Sequence, residues 1–302
     1  MRIAVTGAGG FVGSHVLEEL QDHDVVALDL SLGHIADAPN LTKVEGDLQD
    51  LSILQEAFQQ GCDAVIHLAT VPGGAAEINP DLAKSVNIDA TMALIDIAAR
   101  TGNCPRLVFA SSIAVFGKLP STPVIDDAPT RPTMLYGAHK LMMESWIATQ
   151  TRRGVIDGIS LRLPGIVARP KSPSGMKSAF LSDLFHALCG GEDFTLPVSR
   201  DATTWLCSVK TAAKNLALAA TGMTNSHPED GPVLMPCLRV TLQDLEQEIR
   251  QQLGSSSSKV CYSVDKKLQS IFAEHPDVQT LKAQRMGFAA DANLKDLVKA
   301  VL

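Results

Sequence analysis

Tyr136 and Lys140, in the stretch Tyr136-Gly-Ala-His-Lys140, lie four residues apart. On a helix this spacing puts both side chains on one face, one turn above the other. An ammonium near a phenol favours the phenolate and lowers its pKa from about 10 towards neutrality. A tyrosine tuned that way can take a proton from an alcohol while a hydride leaves the same carbon. The chain holds 2 tyrosines, Tyr136 and Tyr262, so one of them in such a spacing draws notice. Any helix can show Y-x-x-x-K by accident, so its meaning depends on the elements around it.

The first of those elements is the β-branched run Arg2–Thr6, followed directly by Gly7-Ala-Gly-Gly-Phe-Val-Gly13. Val12, Val16, Leu17 and Leu20 then recur at helical spacing. Strand, glycine turn and helix in this order predict a nucleotide site. Gly7 allows the tight turn, Gly10 lets backbone approach a pyrophosphate, and Gly13 lets the helix pack close to the strand. The phosphates would rest on the free N–H groups of the helix start, where the dipole favours negative charge. Residues 25–29 read as the second strand, ending in Asp29. A carboxylate there can accept both hydroxyls of an adenosine ribose and repels a 2′-phosphate. No Arg or Lys follows in Leu30-Ser-Leu32, so NAD is expected rather than NADP. The competing role for Asp29 is a cap or turn residue.

Further on, residues 42–46 form a short strand, and Asp47 is a candidate cap for a helix over 51–59, with its neighbourhood also open to adenine. Residues 64–69 form a fully apolar strand in which His67 reads as a packed histidine. Ala69 and Thr70 stand at its exit beside the cofactor, and 71–80 reads as a Gly/Pro-punctuated loop bordering the substrate. A helix is expected over 83–100. Asn87 within it needs a partner, either backbone at the active site or a neighbouring carbonyl. The strand 106–110 delivers Ser111 and Ser112 to the carboxyl edge of a parallel sheet, where open α/β sheets bind ligands.

Composition narrows the function classes. The net charge is −7 with 20% charged residues and no basic run, which argues against nucleic-acid and anionic-membrane partners. The 6 cysteines lack C-x-x-C or metal-ligand spacing, so they read as thiols of a reduced, cytoplasmic protein, and no metal is expected. No apolar stretch suits a membrane span, and no targeting segment is visible.

In the second half, 170–177 is too punctuated for regular structure, which leaves open whether it closes as a lid. Arg169, Lys171, Lys177 and Arg200 are the candidate cations for a substrate carboxylate. Helices are expected over 179–189, over 209–221 (returning to the main domain) and over 289–301, with a strand over 259–263. Trp205 either lines the pocket or fills the core.

Taken together, Thr6-Gly7-x-x-Gly10-x-x-Gly13, His67-Leu-Ala-Thr70, Ser111-Ser112-Ile-Ala-Val-Phe-Gly117 and Tyr136-Gly-Ala-His-Lys140 resemble the extended short-chain dehydrogenase/reductase family. The resemblance implies a Rossmann-type α/β fold, a doubly wound parallel sheet with a small, discontinuous C-terminal substrate domain. The NAD-binding domain would span 1–165 with a returning segment near 203–222, and 166–302 would be mainly substrate-binding. It implies that Ser112 holds the substrate oxygen, Tyr136 is the acid/base, and Lys140 binds the nicotinamide ribose. The family's helix asparagine falls on Asn87. Further cofactor positions implied are Phe11, Val12, Asp47, Leu48, Leu68, Ala69, Thr70, Pro164 and Ile166. A homodimer through the helices near 83–100 and 136–152 is also implied.

Within the family, Ala114-Val-Phe-Gly117, Arg152–Gly158, Leu161–Pro170, Trp205-Leu206 and Met286–Asp291 are similar to NAD-dependent oxidoreductases of four-carbon sugar acids. Sugar-nucleotide epimerases carry L-R-x-x-N after the sixth strand, whereas Leu161-Arg-Leu-Pro-Gly165 ends in glycine. Their R-D-F-x-Y-V-x-D signature is degraded to Arg200-Asp-Ala-Thr-Thr-Trp-Leu-Cys-Ser208. The expected reaction is therefore hydride transfer from C2 of a short 2-hydroxy sugar acid to NAD⁺. The alternatives are an epimerase or dehydratase of a nucleotide sugar and, more remotely, a non-catalytic dinucleotide sensor.

Overall fold

The computed structural model describes residues 1–171, 178–222, 231–254 and 257–302. The strands of the main sheet begin with β1 (Arg2–Thr6), β2 (Asp24–Asp29), β3 (Leu41–Glu45), β4 (Ala64–His67), β5 (Arg106–Ser112) and β6 (Asp157–Leu163), most of them apolar runs except the polar edge strand β3. Three shorter strands follow, β7 (Gly165–Val167), β8 (Phe194–Leu196) and β9 (Thr203–Ser208), and then β10 (Val233–Leu234), β11 (Leu238–Thr241) and β12 (Val260–Tyr262). All four residues of β4 are buried, as are the last four of β1, which marks strands covered on both faces. The main sheet is ordered β10-β6-β5-β4-β1-β2-β3, and every pair in it is parallel.

Helices cover both faces. In chain order they are α1 (Phe11–Glu19), α2 (Leu51–Phe58), α3 (Gly73–Ile78), α4 (Pro80–Lys84), α5 (Thr91–Thr101), α6 (Leu135–Arg152), α7 (Phe180–Gly190) and α8 (Val209–Thr221), then α9 (Leu242–Leu253), α10 (Lys266–Phe272), α11 (Leu281–Arg285) and α12 (Leu294–Val301). Val16 and Leu20, with Leu216 of α8 and Ala283 of α11, pack one face of the sheet. Leu54 of α2, Leu94 of α5 and Met143 of α6 pack the other. The doubly wound parallel sheet is thus present. A separate core joins Leu184 of α7, Leu245 of α9 and Leu297 of α12, beside the small sheet β11-β9-β7. The chain beyond residue 165 also sends α8, α11 and β10 back to the main sheet.

Several elements differ from expectation. Residues 71–80 are largely helical: α3 buries Ala76, and Asn79 both ends it and caps α4 by accepting the Leu82 N–H at 3.2 Å. The helix expected over 83–100 is interrupted by a π-turn over Ser85–Ala90. The cap of α2 is Asp50, which accepts the Ser52 N–H at 2.8 Å, while Asp47 closes a tighter turn onto the Gln49 N–H at 2.9 Å. The closing helix begins only at Leu294, because Asp291 turns inward onto Ser208 and Thr211 at the start of α8. The candidate lid segment lies mostly outside the described residues. No described helix is long and apolar enough to cross a membrane.

Candidate active site

The parallel sheet brings the ends of β4, β5 and β6 to one edge, where a cavity of about 600 Å³ opens. Ser112, at the end of β5, accepts the Ala114 N–H at 3.1 Å and lines the cavity with Tyr136, whose phenol it acts on. Gly137 lets α6 come this close, since a Cβ there would stand 2.4 Å from the Ala114 carbonyl oxygen. The start of α6 is also held by α3, whose Glu77 accepts the Leu135 N–H at 2.7 Å. One turn below Tyr136, Lys140 is buried with its Nζ 4.5 Å from the Phe109 ring centroid and 5.5 Å from that of Tyr136.

Burial disfavours the charged form of both groups. It pushes the Lys140 ammonium down to about 7, against the opposing pull of the Glu144 carboxylate. Tyr136 is partly open to the cavity, yet burial raises its phenol, outweighing the Arg169 charge and the Ser112 hydrogen bond. Burial therefore raises the phenol where its spacing from Lys140 was expected to lower it. Lys140 has a stability consequence with a definite sign. Unfolded, it titrates near 10.5, and folded near 7, so between those values the unfolded chain binds the extra proton. The contribution is lost as pH falls towards 7 and grows as pH rises above it. Urea melts should show the Lys140 share of stability rising by about 2 kcal/mol between about pH 7 and 9, with that slope missing in Lys140→Met.

The glycine turn has the shape a dinucleotide needs. A Cβ on Gly13 would lie 2.1 Å from the Gly7 carbonyl oxygen, and one on Gly7 (φ +70°) would lie 2.7 Å from the Ala69 nitrogen. The N-terminus of α1 has no side-chain cap and no acidic residue in its first turn, so the N–H groups around Gly10, Phe11 and Val12 can take an anion. Asp29 accepts the Gly9 N–H at 2.9 Å and the Leu30 N–H at 2.7 Å, which sets its carboxylate beside the turn. Asn87 uses its buried amide on backbone at the site: it accepts the Val71 N–H at 2.7 Å and the Thr70 hydroxyl at 3.0 Å, and donates to the Val71 carbonyl at 3.0 Å. The π-turn is what presents it, a geometry common at functional positions. His67 lies between Thr6 (2.6 Å) and Thr91 (2.9 Å), and burial holds it neutral, at about 3, as the packed histidine expected.

Val12, Leu68, Thr70, Pro164 and Ile166 line the cavity together with Ser112, Tyr136 and Lys140. Gly7, Gly10, Phe11, Gly13, Asp29, Asp47, Leu48 and Ala69 are not among its walls, and Leu48 is buried. The four candidate cations separate. Arg169 lines the cavity close enough to Tyr136 for the two charges to couple. Lys171 also lines it but pairs with exposed Glu192 at 3.3 Å. Arg200 stacks 5.5 Å from the Tyr262 ring, outside the cavity walls, and Lys177 lies outside the described residues. Trp205 is fully buried, with its indole N–H donating to the Pro276 carbonyl at 2.7 Å, so it fills the core.

Sequence reasoning missed His275, which lines the cavity and accepts the Trp205 backbone N–H at 3.1 Å; no motif flags it. It also missed the buried Glu144–Arg162 pair, although Glu144 repeats the four-residue spacing of Tyr136 and Lys140.

This sheet, glycine turn and Ser–Tyr–Lys edge define a class of nucleotide-dependent redox fold. Residues 3–230 match the NAD dependent epimerase/dehydratase family, and the chain belongs to that family, the extended short-chain dehydrogenase/reductases. It is an NAD-dependent oxidoreductase. It is 30% identical to D-erythronate dehydrogenase of Cupriavidus necator, over 100% of this chain and 98% of that one. With the D-erythronate dehydrogenase of Haemophilus influenzae the identity is 29% over 99% and 98%. Among solved structures, the nucleoside-diphosphate-sugar epimerase of Agrobacterium tumefaciens superposes with a TM-score of 0.86 and 26% identity, covering 99% of this chain and 92% of that one.

Proposed function

We propose that the protein oxidises the C2 hydroxyl of a short 2-hydroxy sugar acid, D-erythronate to 2-dehydro-D-erythronate, with NAD⁺. The observation that carries this reading is one cavity lined by Ser112, Tyr136 and Lys140 together with Arg169, whose positive charge acts on the Tyr136 phenol. A 2-hydroxy acid presents a hydroxyl and a carboxylate on adjacent carbons, which is the pairing such a wall can receive. Full-length similarity to two D-erythronate dehydrogenases supports the substrate class.

Bound NAD⁺ supplies the hydride acceptor and a positive ring. Gly7, Gly10 and Gly13 let the α1 N-terminus meet its pyrophosphate, and Asp29 takes the adenosine ribose. Phe11, Val12, Leu68, Ala69, Thr70, Pro164 and Ile166 wall the cofactor, with Asp47 and Leu48 towards the adenine and Asn87 fixing the Val71 backbone and the Thr70 hydroxyl. Ser112 holds the substrate hydroxyl, and Tyr136 removes its proton as the C2 hydride departs. Lys140 binds the nicotinamide ribose and favours the phenolate, an effect that strengthens as water is excluded. Residues 1–165 with the return of α8 then serve the cofactor, and 166–302 mainly the substrate.

Nucleotide-sugar chemistry is less well served. The place of the epimerase asparagine is Gly165, where a Cβ would already stand 3.0 Å from the Trp205 carbonyl oxygen, leaving little room for a longer side chain. Arg169→Gln tests the carboxylate assignment. It should raise KM for D-erythronate by about a hundredfold, the cost of removing one partner of a sheltered ion pair. Turnover of the uncharged polyol erythritol should fall far less, since it loses only the effect of the Arg169 charge on Tyr136. Equal losses on both substrates would remove Arg169 from carboxylate recognition.

A further inference from the structure

Behind the Ser–Tyr–Lys edge lies a buried charged cluster that the proposed reaction does not use. Glu144 is one turn beyond Lys140 on α6, so Tyr136, Lys140 and Glu144 share one helix face. The Glu144 carboxylate, with the residue 3% exposed, accepts three hydrogen bonds. They come from Ser111 Oγ at 2.5 Å, Arg162 Nε at 3.0 Å and Arg162 Nη2 at 2.8 Å. Arg162, on β6, is itself 5% exposed, donates to the Asp126 carbonyl at 2.9 Å, and sits 5.0 Å from the Phe116 ring. Asp126 in turn accepts the Leu234 N–H of β10 at 2.6 Å.

Such a pair is not explained by stability alone, because apolar residues of similar volume commonly serve as well. Its placement is specific. Ser111 precedes Ser112, so one carboxylate ties the strand carrying the substrate-binding serine to the helix carrying the tyrosine and lysine. We propose that Glu144 is a positioning residue of the catalytic site, clamping the end of β5 to α6 through Ser111 and serving as the fixed counter-charge of Lys140.

The groups facing Lys140 leave that second task to Glu144. On α6 these are Tyr136, a neutral phenol, and Glu144 itself. His67 of β4 is neutral and Phe109 of β5 carries no charge. Arg162 of β6 is engaged by Glu144, and Arg169 lies beside Tyr136. Glu144 is the one acting to keep the ammonium protonated against burial. A lysine that must donate to ribose hydroxyls near neutral pH depends on that carboxylate.

The inference deepens the proposed reaction and rests on the Ser–Tyr–Lys site of that reading, but its test does not require the sugar acid. NADH affinity, followed by the fluorescence of bound NADH from about pH 5.5 to 9, should weaken with a midpoint near 7 as Lys140 loses its proton. In Glu144→Gln the midpoint should move down by about one unit, a tenfold change in the protonated fraction above it. Glu144→Asp keeps the charge at greater reach and should fall between the two. A purely structural role would lower affinity at every pH and leave the midpoint in place. That result would leave only the clamp and overturn the counter-charge of Lys140; no change at all overturns both. Should Glu144→Gln fail to fold, Glu144→Asp decides on the same criterion. If the wild type oxidises no sugar acid, the substrate reading fails while this titration still judges Glu144.

Discussion

Tyr136→Phe should lose about 10³-fold in kcat for oxidation while binding NAD nearly as well as the wild type. In the proposed reaction the Tyr136 phenolate oxygen is the proton acceptor, and general acid–base groups contribute on the order of 10²–10⁴. The ring, which helps wall the cavity and lies near the Lys140 ammonium, is retained in the variant. Steady-state oxidation and NADH fluorescence titration, run on the same preparations, separate the two effects. Retained turnover would assign the proton transfer to another group, whereas loss of NADH binding would make Tyr136 a cofactor residue first.

Gly13→Ala should be nearly as damaging, through packing rather than chemistry. The new Cβ would lie 2.1 Å from the Gly7 carbonyl oxygen and 2.7 Å from the Ala8 Cα, both of them backbone atoms that no rotamer change can move. The helix must retreat from β1, taking the phosphate-facing N–H groups with it. A loss of about 3 kcal/mol in stability is expected, at the upper end for overpacking, with a fall of about a hundredfold in NAD affinity. Chemical denaturation and NADH titration measure the two. Gly191→Ala is a useful contrast: its φ of +69° brings backbone strain, but no atom lies within 4 Å of the new Cβ, so cofactor affinity should hold.

The fold was legible where physics is local. Strands buried on both faces, such as Ala64–His67, are written as unbroken apolar runs. The turn after Arg2–Thr6 is written as glycines because no other residue leaves that backbone room. What escaped depended on distant partners. β10 is two residues long and exists because β6 offers it an edge, so no periodicity announces it. The π-turn around Asn87 accommodates Thr91, whose hydroxyl serves both the Asn87 carbonyl and His67. Of four cations equally plausible in sequence, the fold brings Arg169 beside Tyr136 and sends Arg200 to Tyr262. Glu144 could have been suspected from its spacing, but its meaning required Arg162 from a strand across the sheet.

The central claim is that this cavity turns a hydroxy acid into a keto acid with NAD⁺. NADH absorbance, followed across a panel of four- to six-carbon aldonates with UDP- and dTDP-sugars alongside, tests it most directly. The account predicts NADH formation with D-erythronate above the longer acids and none with the nucleotide sugars. NADH from no aldonate, together with conversion of a nucleotide sugar while NAD stays bound, would contradict it.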